Sequence, residues 1–180
     1  MVNQNFFFSI KEHEILPFVA DINEWIEKQL PLGRPYEVFF FKSKLIITEL
    51  ITNAIKHANT NEFTLNIEIG NQTVKVTRID KGKPFNLFSK GEALEWPLAD
   101  HFFGKPIMIL EDKLSNMSAI IKSQYCIEFK LEEFVKQNDD VINTLIEHFG
   151  LIIITKLSDQ FVYSYDPRFH LNTFEATIKV

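Results

Sequence analysis

The stretch Glu49-Leu-Ile-Thr-Asn53-Ala-Ile-Lys56-His57-Ala58 sets an acid, an amide, a base and an imidazole at helical spacing. Offsets of four, seven and eight from Glu49 return to the same side of an α-helix, so these four side chains form one polar stripe. The apolar residues of the same segment can face a core; they are Leu45, Ile46, Leu50, Ile51, Ala54 and Ile55. The stretch therefore predicts an amphipathic helix, which we place at about residues 36 to 58.

The polar stripe of this helix suits nucleotide chemistry. A carboxylate and an amide oxygen one turn apart can hold a hydrated magnesium ion or orient a water molecule. A lysine beside them can meet a phosphate as a point charge. An ordinary solvated helix face has the same pattern, so the stripe alone leaves both interpretations open.

A second motif, Asp80-Lys-Gly82-Lys-Pro84-Phe85, follows a predicted strand at residues 74 to 79. An aspartate at the end of a strand can accept a hydrogen bond from an exocyclic amine, and a glycine lets the backbone approach a flat ring closely. A plain Asp-x-Gly turn that closes a hairpin is the alternative. The two motifs in this order favour a nucleotide site.

Together the two motifs resemble those of the GHKL ATPases, whose helix motif reads E-x-x-x-N-x-x-K-H and whose first glycine box reads D-x-G-x-G or D-x-G-x-P-F. Within that superfamily the chain is most similar to the small anti-sigma-factor serine/threonine kinases. The resemblance implies ATP and Mg²⁺ as cofactors. It implies that Asn53 is the magnesium ligand and that Glu49 is the general base or the carboxylate that orients a water molecule.

The resemblance also implies roles for the other motif residues. Asp80 would read the adenine, Gly82 would allow its close approach, and Pro84 belongs to the same box. Lys56 and His57 would lie near the phosphates.

A second glycine box, G-x-G-L, opens a helix in this family, and the amides of that helix receive the phosphates. Two places compete for it, Gly104 and Gly150-Leu151. The second resembles the family better, because an apolar run ending in Lys156-Leu-Ser-Asp159 follows it; Thr173 would then lie near the adenine. One glycine of the box is replaced in either alignment, which weakens the expected phosphate cradle.

The order of predicted elements is strand, helix, helix and hairpin, followed by further strands. By the resemblance, this order implies an α+β fold of the Bergerat type, a two-layer α/β sandwich with a mixed sheet and helices on one face. Residues 1 to 180 are expected to form a single histidine-kinase-like ATPase domain. Within it, residues 86 to 147 are expected to form an enlarged insertion at the position of the ATP lid, with one or two amphipathic helices at 132 to 147.

The composition restricts the function further. With 180 residues, 46% of them hydrophobic, the chain is long enough for one domain with a core. A net charge of −5 argues against binding nucleic acid through a broad basic surface. The single cysteine, Cys126, excludes an internal disulfide and a cysteine-built zinc site. No apolar run reaches the roughly 18 residues of a membrane span, so we expect a cytoplasmic protein.

The resemblance implies a protein kinase that transfers the γ-phosphoryl group of ATP to a regulatory protein partner, an anti-sigma antagonist or a sigma factor. The degenerate second glycine box leaves an alternative open, a non-catalytic interaction module, or pseudo-kinase, of the same superfamily. No direct nucleic-acid or membrane partner is expected. The sequence leaves open whether the chain forms a homodimer.

Overall fold

The computed structural model describes residues 1–11, 13–31, 36–58, 60–89, 91–111, 115–134 and 149–180. Its α-helices are α1 Ile15–Gln29, α2 Glu37–Asn53 and α3 Phe149–Leu157, and a π-helical turn Ala54–Ala58 continues α2. Its strands are β1 Val2–Ser9, β2 Glu62–Ile69, β3 Thr73–Asp80, β4 Leu87–Ser89, β5 Glu92–Leu94, β6 Pro106–Glu111, β7 Ser115–Ser123, β8 Cys126–Glu133, β9 Gln160–Asp166 and β10 Leu171–Lys179.

Eight of these strands form one sheet in the order β1-β2-β3-β10-β9-β8-β7-β6. Every pair of neighbouring strands in it is antiparallel. The predicted mixed sheet is therefore wrong. The predicted Bergerat-type two-layer α/β sandwich is also wrong, because a broad antiparallel sheet dominates the described part of the chain, with three α-helices packed beside it.

The region predicted to be a lid insertion explains much of this difference. Its strands β6, β7 and β8 extend the sheet beyond β9, and β4 pairs with β5 in a separate hairpin. Side chains in β7 alternate between buried and half-buried positions, which is the pattern of a strand with one face on a core. The predicted helices at 132 to 147 begin inside β8, and residues 135 to 147 lie outside the described residues.

The core lies between one face of the sheet and the helices. Helix α1 contacts β1, α2 contacts β3 and β10, and α3 contacts β8, β9 and β10. In β2 the buried side chains occupy every second position, and in α1 they recur at helical spacing, so each element presents one apolar side. The core side chains of these two elements are Phe63, Leu65, Ile67, Ile69, Phe18, Val19, Ile22 and Ile26.

The two phenylalanine triplets at residues 6 to 8 and 39 to 41 are predicted from sequence to be buried core, and this is only partly right. Phe8 and Phe39 are buried, whereas Phe7 and Phe41 are exposed. Alternation along β1 and the rotation of α2 turn the exposed rings away from the sheet. Among the described residues, no helix has the length and apolar character that crossing a membrane requires.

Candidate functional site

A cavity of about 400 Å³ opens between α2, the start of α3, the segment after β3 and the middle of β6. This volume lies within the range of about 300 to 1,000 Å³ that is typical of small-molecule sites. Most of the wall is apolar, which also suits a small-molecule site. The described residues that line it are Leu50, Asn53, His57, Arg78, Lys83, Pro84, Phe85, Asn86, Leu87, Phe88, Met108, Ile109, Leu151, Phe161 and Phe174.

Gly150 brings the start of α3 against the motif helix α2. A Cβ atom added to Gly150 would lie 2.7 Å from Glu49 Oε2 and 2.9 Å from both Asn53 Nδ2 and Asn53 Oδ1. These distances are shorter than a van der Waals contact, so a methyl group at this position would displace the ends of the Glu49 and Asn53 side chains. The first turn of α3, Glu49 and Asn53 therefore meet at one place, where Asn53 and Leu151 line the cavity.

The carboxamide of Asn53 has an unused hydrogen-bonding group. Its Nδ2 atom is buried and has no hydrogen-bond partner among the described residues. A buried donor without an acceptor lowers stability, so such groups in proteins usually have a protein, water or ligand partner. An acceptor on a ligand in the cavity would satisfy it.

The polar stripe changes its geometry after Asn53. The next residues form the π-helical turn, in which Lys56 and His57 are both exposed. His57 lines the cavity, whereas Lys56 is not among the described residues that do. Single π turns within α-helices occur often at functional sites.

Asp80, the predicted adenine reader, is buried and is not among the described cavity-lining residues. Its Oδ1 atom accepts hydrogen bonds from Gly82 N at 2.8 Å and Asn172 Nδ2 at 2.9 Å. Its Oδ2 atom lies 2.9 Å from Arg78 Nη2, an ion pair rather than a well-formed hydrogen bond. Both carboxylate oxygens are therefore engaged by the protein itself.

Arg78 is the buried cation of the site, with 2% of its side chain exposed. Its Nη1 atom donates to the carbonyl oxygen of Leu50 in α2 at 2.9 Å, and its guanidinium carbon lies 4.2 Å from the centre of the Phe174 ring. Burial lowers the pKa of this guanidinium, and the Asp80 carboxylate opposes that shift. Arg78 thus connects β3 to α2 and β10 under the cavity.

A chain of buried hydrogen bonds fixes the segment that follows Asp80. Asn172 Nδ2 also donates to the carbonyl oxygen of Gly82 at 2.9 Å, and Tyr163 Oη donates to Asn172 Oδ1 at 2.8 Å. The Phe85 backbone N–H donates in turn to Tyr163 Oη at 3.0 Å. Burial raises the pKa of the Tyr163 phenol well above its usual range, which keeps it protonated. These contacts hold Pro84 and Phe85 in the cavity wall.

Most of the residues predicted from sequence gather around the cavity. The structure brings together six of them: Glu49, Asn53, His57, Pro84, Gly150 and Leu151. Asp80 and Gly82 lie behind the wall in the hydrogen-bonded segment. Gly104, the alternative for the second glycine box, precedes strand β6 instead of a helix, so that alternative is wrong.

Thr173 is not brought to the cavity. It lies between Asn172 and Phe174 on β10, and both of these neighbours belong to the buried side of the sheet. Adjacent residues in a strand point to opposite faces, so Thr173 faces away from the motif helix.

Sequence reasoning missed three residues of the candidate site, Arg78, Asn172 and Phe174. The sequence contained a sign of the burial of Arg78, because alternation along β3 puts it on the same face as the buried residues Val74 and Val76. A charged residue at a core position needs a partner, and Asp80 two positions later on the same face supplies one. Asn172 and Phe174 are joined to the site only by the pairing of β10 with β3.

The residues beside Gly150 include two oxygen-bearing side chains of the kind that magnesium takes as ligands. In the described part of the chain, no three His, Cys, Asp or Glu side chains come together as a metal site. Magnesium bound with a nucleotide takes only one or two protein ligands, the rest being phosphate oxygens and water. The Asn53 carboxamide and the Glu49 carboxylate, both beside Gly150, can serve in that way.

Neither a protein-family model nor a curated protein sequence matches this chain. The assignment of the site therefore depends on its own geometry and chemistry.

Proposed function

We propose that this chain is a regulatory protein that binds a magnesium nucleoside triphosphate beside Asn53. Its resemblance to the GHKL ATPases implies ATP as that nucleotide. The observation that carries the proposal is the contact of Gly150 with Glu49 and Asn53 at the cavity. The contact puts the first described turn of α3 next to a carboxamide that suits magnesium.

The cavity also suits the base of a nucleotide. Its volume of about 400 Å³ and its aromatic walls suit a flat heterocycle. Phe85, Phe174, Leu50 and Leu87 contribute apolar surface to this part of the wall. A base in the cavity would leave the phosphates free to extend toward Asn53 and the start of α3.

As an enzyme, the protein would transfer the γ-phosphoryl group to a serine or threonine of a regulatory partner, an anti-sigma antagonist or a sigma factor, in the cytoplasm. Bound magnesium nucleotide supplies the phosphoryl group and the neutralising charge. Glu49, beside Asn53, would orient the attacking hydroxyl group. Positioning and electrostatics account for most of the rate gain in such reactions.

One observation favours a second candidate, a non-catalytic module that binds a partner. Both oxygens of Asp80 are engaged by Gly82, Asn172 and Arg78, so the acid that should read an adenine is occupied. Weakened base recognition is compatible with a regulatory site without turnover. Release or transfer of the γ-phosphoryl from labelled ATP favours the kinase, and stable binding without either favours the module.

The test of nucleotide binding is calorimetry and thermal unfolding of the wild type, Asn53→Ala and Asn71→Ala. Asn71 lies exposed in the turn between β2 and β3, so its substitution is the same chemical change away from the cavity. MgATP at about 100 times its Kd should stabilise the wild type by about 2.7 kcal/mol, a rise in Tm of roughly 5 to 10 °C.

We expect Asn53→Ala to weaken MgATP binding by at least about tenfold, because it removes a ligand to a cation and a donor to the nucleotide. Asn71→Ala should bind as the wild type does. Wild-type protein that shows no heat of binding and no rise in Tm with millimolar MgATP would refute the proposed function.

A further inference from the structure

The group that faces the cavity from β3 is a donor of hydrogen bonds, not an acceptor. Arg78 lines the cavity and is almost fully buried, whereas Asp80 is not among the described lining residues. A guanidinium group has five N–H donors and no acceptor. A ligand that reaches this part of the wall must therefore present acceptor atoms to it.

Arg78 has donors left for a ligand. Two of its contacts are assigned, from Nη1 to the Leu50 carbonyl oxygen and from Nη2 to Asp80 Oδ2. Its Nε atom is buried and has no hydrogen-bond partner among the described residues. Since five N–H groups serve two described acceptors, the guanidinium can still donate to an acceptor in the cavity.

The Asp80 carboxylate is poorly placed to accept a hydrogen bond from an amino group of a ligand in the cavity. Asp80 Oδ1 already accepts from Gly82 N and Asn172 Nδ2, and Oδ2 is buried against Arg78. Asp80 Oδ2 has no hydrogen-bond partner among the described residues, but the side chain has no exposed surface, so an exocyclic amine could reach Oδ2 only by displacing buried groups such as the Arg78 guanidinium. Such a displacement would separate a buried ion pair, which is costly.

A second unused donor, on Asn53, lies on the side of the cavity proposed for the phosphates, whose oxygen atoms are acceptors. Asn53 lines the cavity, and its buried Nδ2 atom has no partner in the described part of the chain. The ring of Phe174 lies under the Arg78 guanidinium and also lines the cavity. The part of the wall formed by Arg78 and Phe174 thus offers hydrogen-bond donors beside an aromatic ring, an arrangement that suits a flat ring with acceptor atoms.

We propose that Arg78 determines the base specificity of the proposed nucleotide site, so that a 6-oxopurine binds more tightly than adenine. Guanine and hypoxanthine present O6 and N7, two acceptors that an arginine can bind together. Adenine presents its N6 amino group at the same place, a donor facing a donor. This inference rests on the proposed function and makes ATP the weaker of the purine nucleotides.

The test compares MgATP, MgITP and MgGTP on the wild-type protein by calorimetry. Inosine and adenosine nucleotides form the matched pair, because they share the ribose and phosphates and differ at ring positions 6 and 1. We expect MgITP and MgGTP to bind at least about tenfold more tightly than MgATP, because a favourable hydrogen bond to O6 replaces the repulsion between two donors.

Substitution of Arg78 assigns the preference to this residue. Arg78→Lys keeps the positive charge beside Asp80 but removes the planar guanidinium group. The ratio of the Kd of MgATP to the Kd of MgITP should therefore fall to about threefold or less. Should this variant fail to fold, the paired substitution of Arg78→Met and Asp80→Asn, which leaves no unpaired charge, carries the same comparison. A full preference retained in a folded variant would overturn the role of Arg78.

The nucleotide series separates the two proposals. MgATP binding as tightly as MgITP and MgGTP, or more tightly, overturns the inference and leaves nucleotide binding intact. Absence of binding for all three nucleotides overturns the proposed function and the inference together.

Discussion

Arg78→Met is expected to lower the free energy of unfolding by about 3 to 5 kcal/mol, because it leaves the buried Asp80 carboxylate without its cation. The hydrogen bond to the Leu50 carbonyl oxygen and the contact with the Phe174 ring are lost as well. For a chain of this length, each 1 kcal/mol corresponds to roughly 2 to 4 °C in Tm. Urea denaturation at pH 7 measures the change.

Two controls separate the buried charge from the lost contacts. The paired substitution of Arg78→Met and Asp80→Asn removes both charges and should recover a large part of the stability. Lys75→Met, on the same strand, removes a half-exposed ion pair with Glu175 and should cost no more than about 1 kcal/mol. A loss below about 1 kcal/mol for Arg78→Met would show that Asp80 does not depend on Arg78.

Gly150→Ala is expected to weaken magnesium-nucleotide binding by about a hundredfold while the fold survives. The new methyl group would meet the ends of the Glu49 and Asn53 side chains, which can rotate away without moving the backbone. Their displacement would remove a cation ligand and a hydrogen-bond donor from the proposed site, and a loss of about 2.7 kcal/mol corresponds to about a hundredfold in Kd. Calorimetry with the nucleotide measures the affinity, and urea denaturation measures the stability.

Gly70→Ala in the turn between β2 and β3 is the matched control for this substitution. Its added Cβ would approach Thr73 Oγ1 at 3.3 Å, at the opposite end of β3 from Arg78 and Asp80. We expect it to bind nucleotide as the wild type does. Equal affinities for Gly150→Ala and Gly70→Ala would contradict the role given to the contact between α3 and the motif helix.

The local elements could be predicted from sequence because their side-chain patterns are local. The motif helix, the hairpin of β2 and β3, and β9 and β10 follow from helical spacing or alternation. The sheet as a whole could not be predicted in this way. The pairing of β8 with β9 joins residues 34 to 38 positions apart in the chain, and no local pattern specifies which edges meet.

The candidate site, like the sheet, could be predicted from sequence only in part. The spacing of Glu49 and Asn53 predicted one polar face, and the similarity of Gly150 to a glycine box predicted a place near it; the structure brings the three together. The environment of Asp80 was not predicted, because it depends on Asn172 across a strand pairing and on the burial of Arg78. A sequence motif gives the type of a residue, but it does not give the residues from other parts of the chain that form hydrogen bonds or ion pairs with it.

A crystal structure of the protein with magnesium and a non-hydrolysable nucleoside triphosphate tests the central claim most directly. Our account predicts the base against Phe85, Phe174 and Leu50, the cation bound by the Asn53 carboxamide oxygen, and the phosphates at the start of α3 beside Gly150. A nucleotide bound elsewhere on the molecule, with Asn53 touching neither cation nor phosphate, would contradict it.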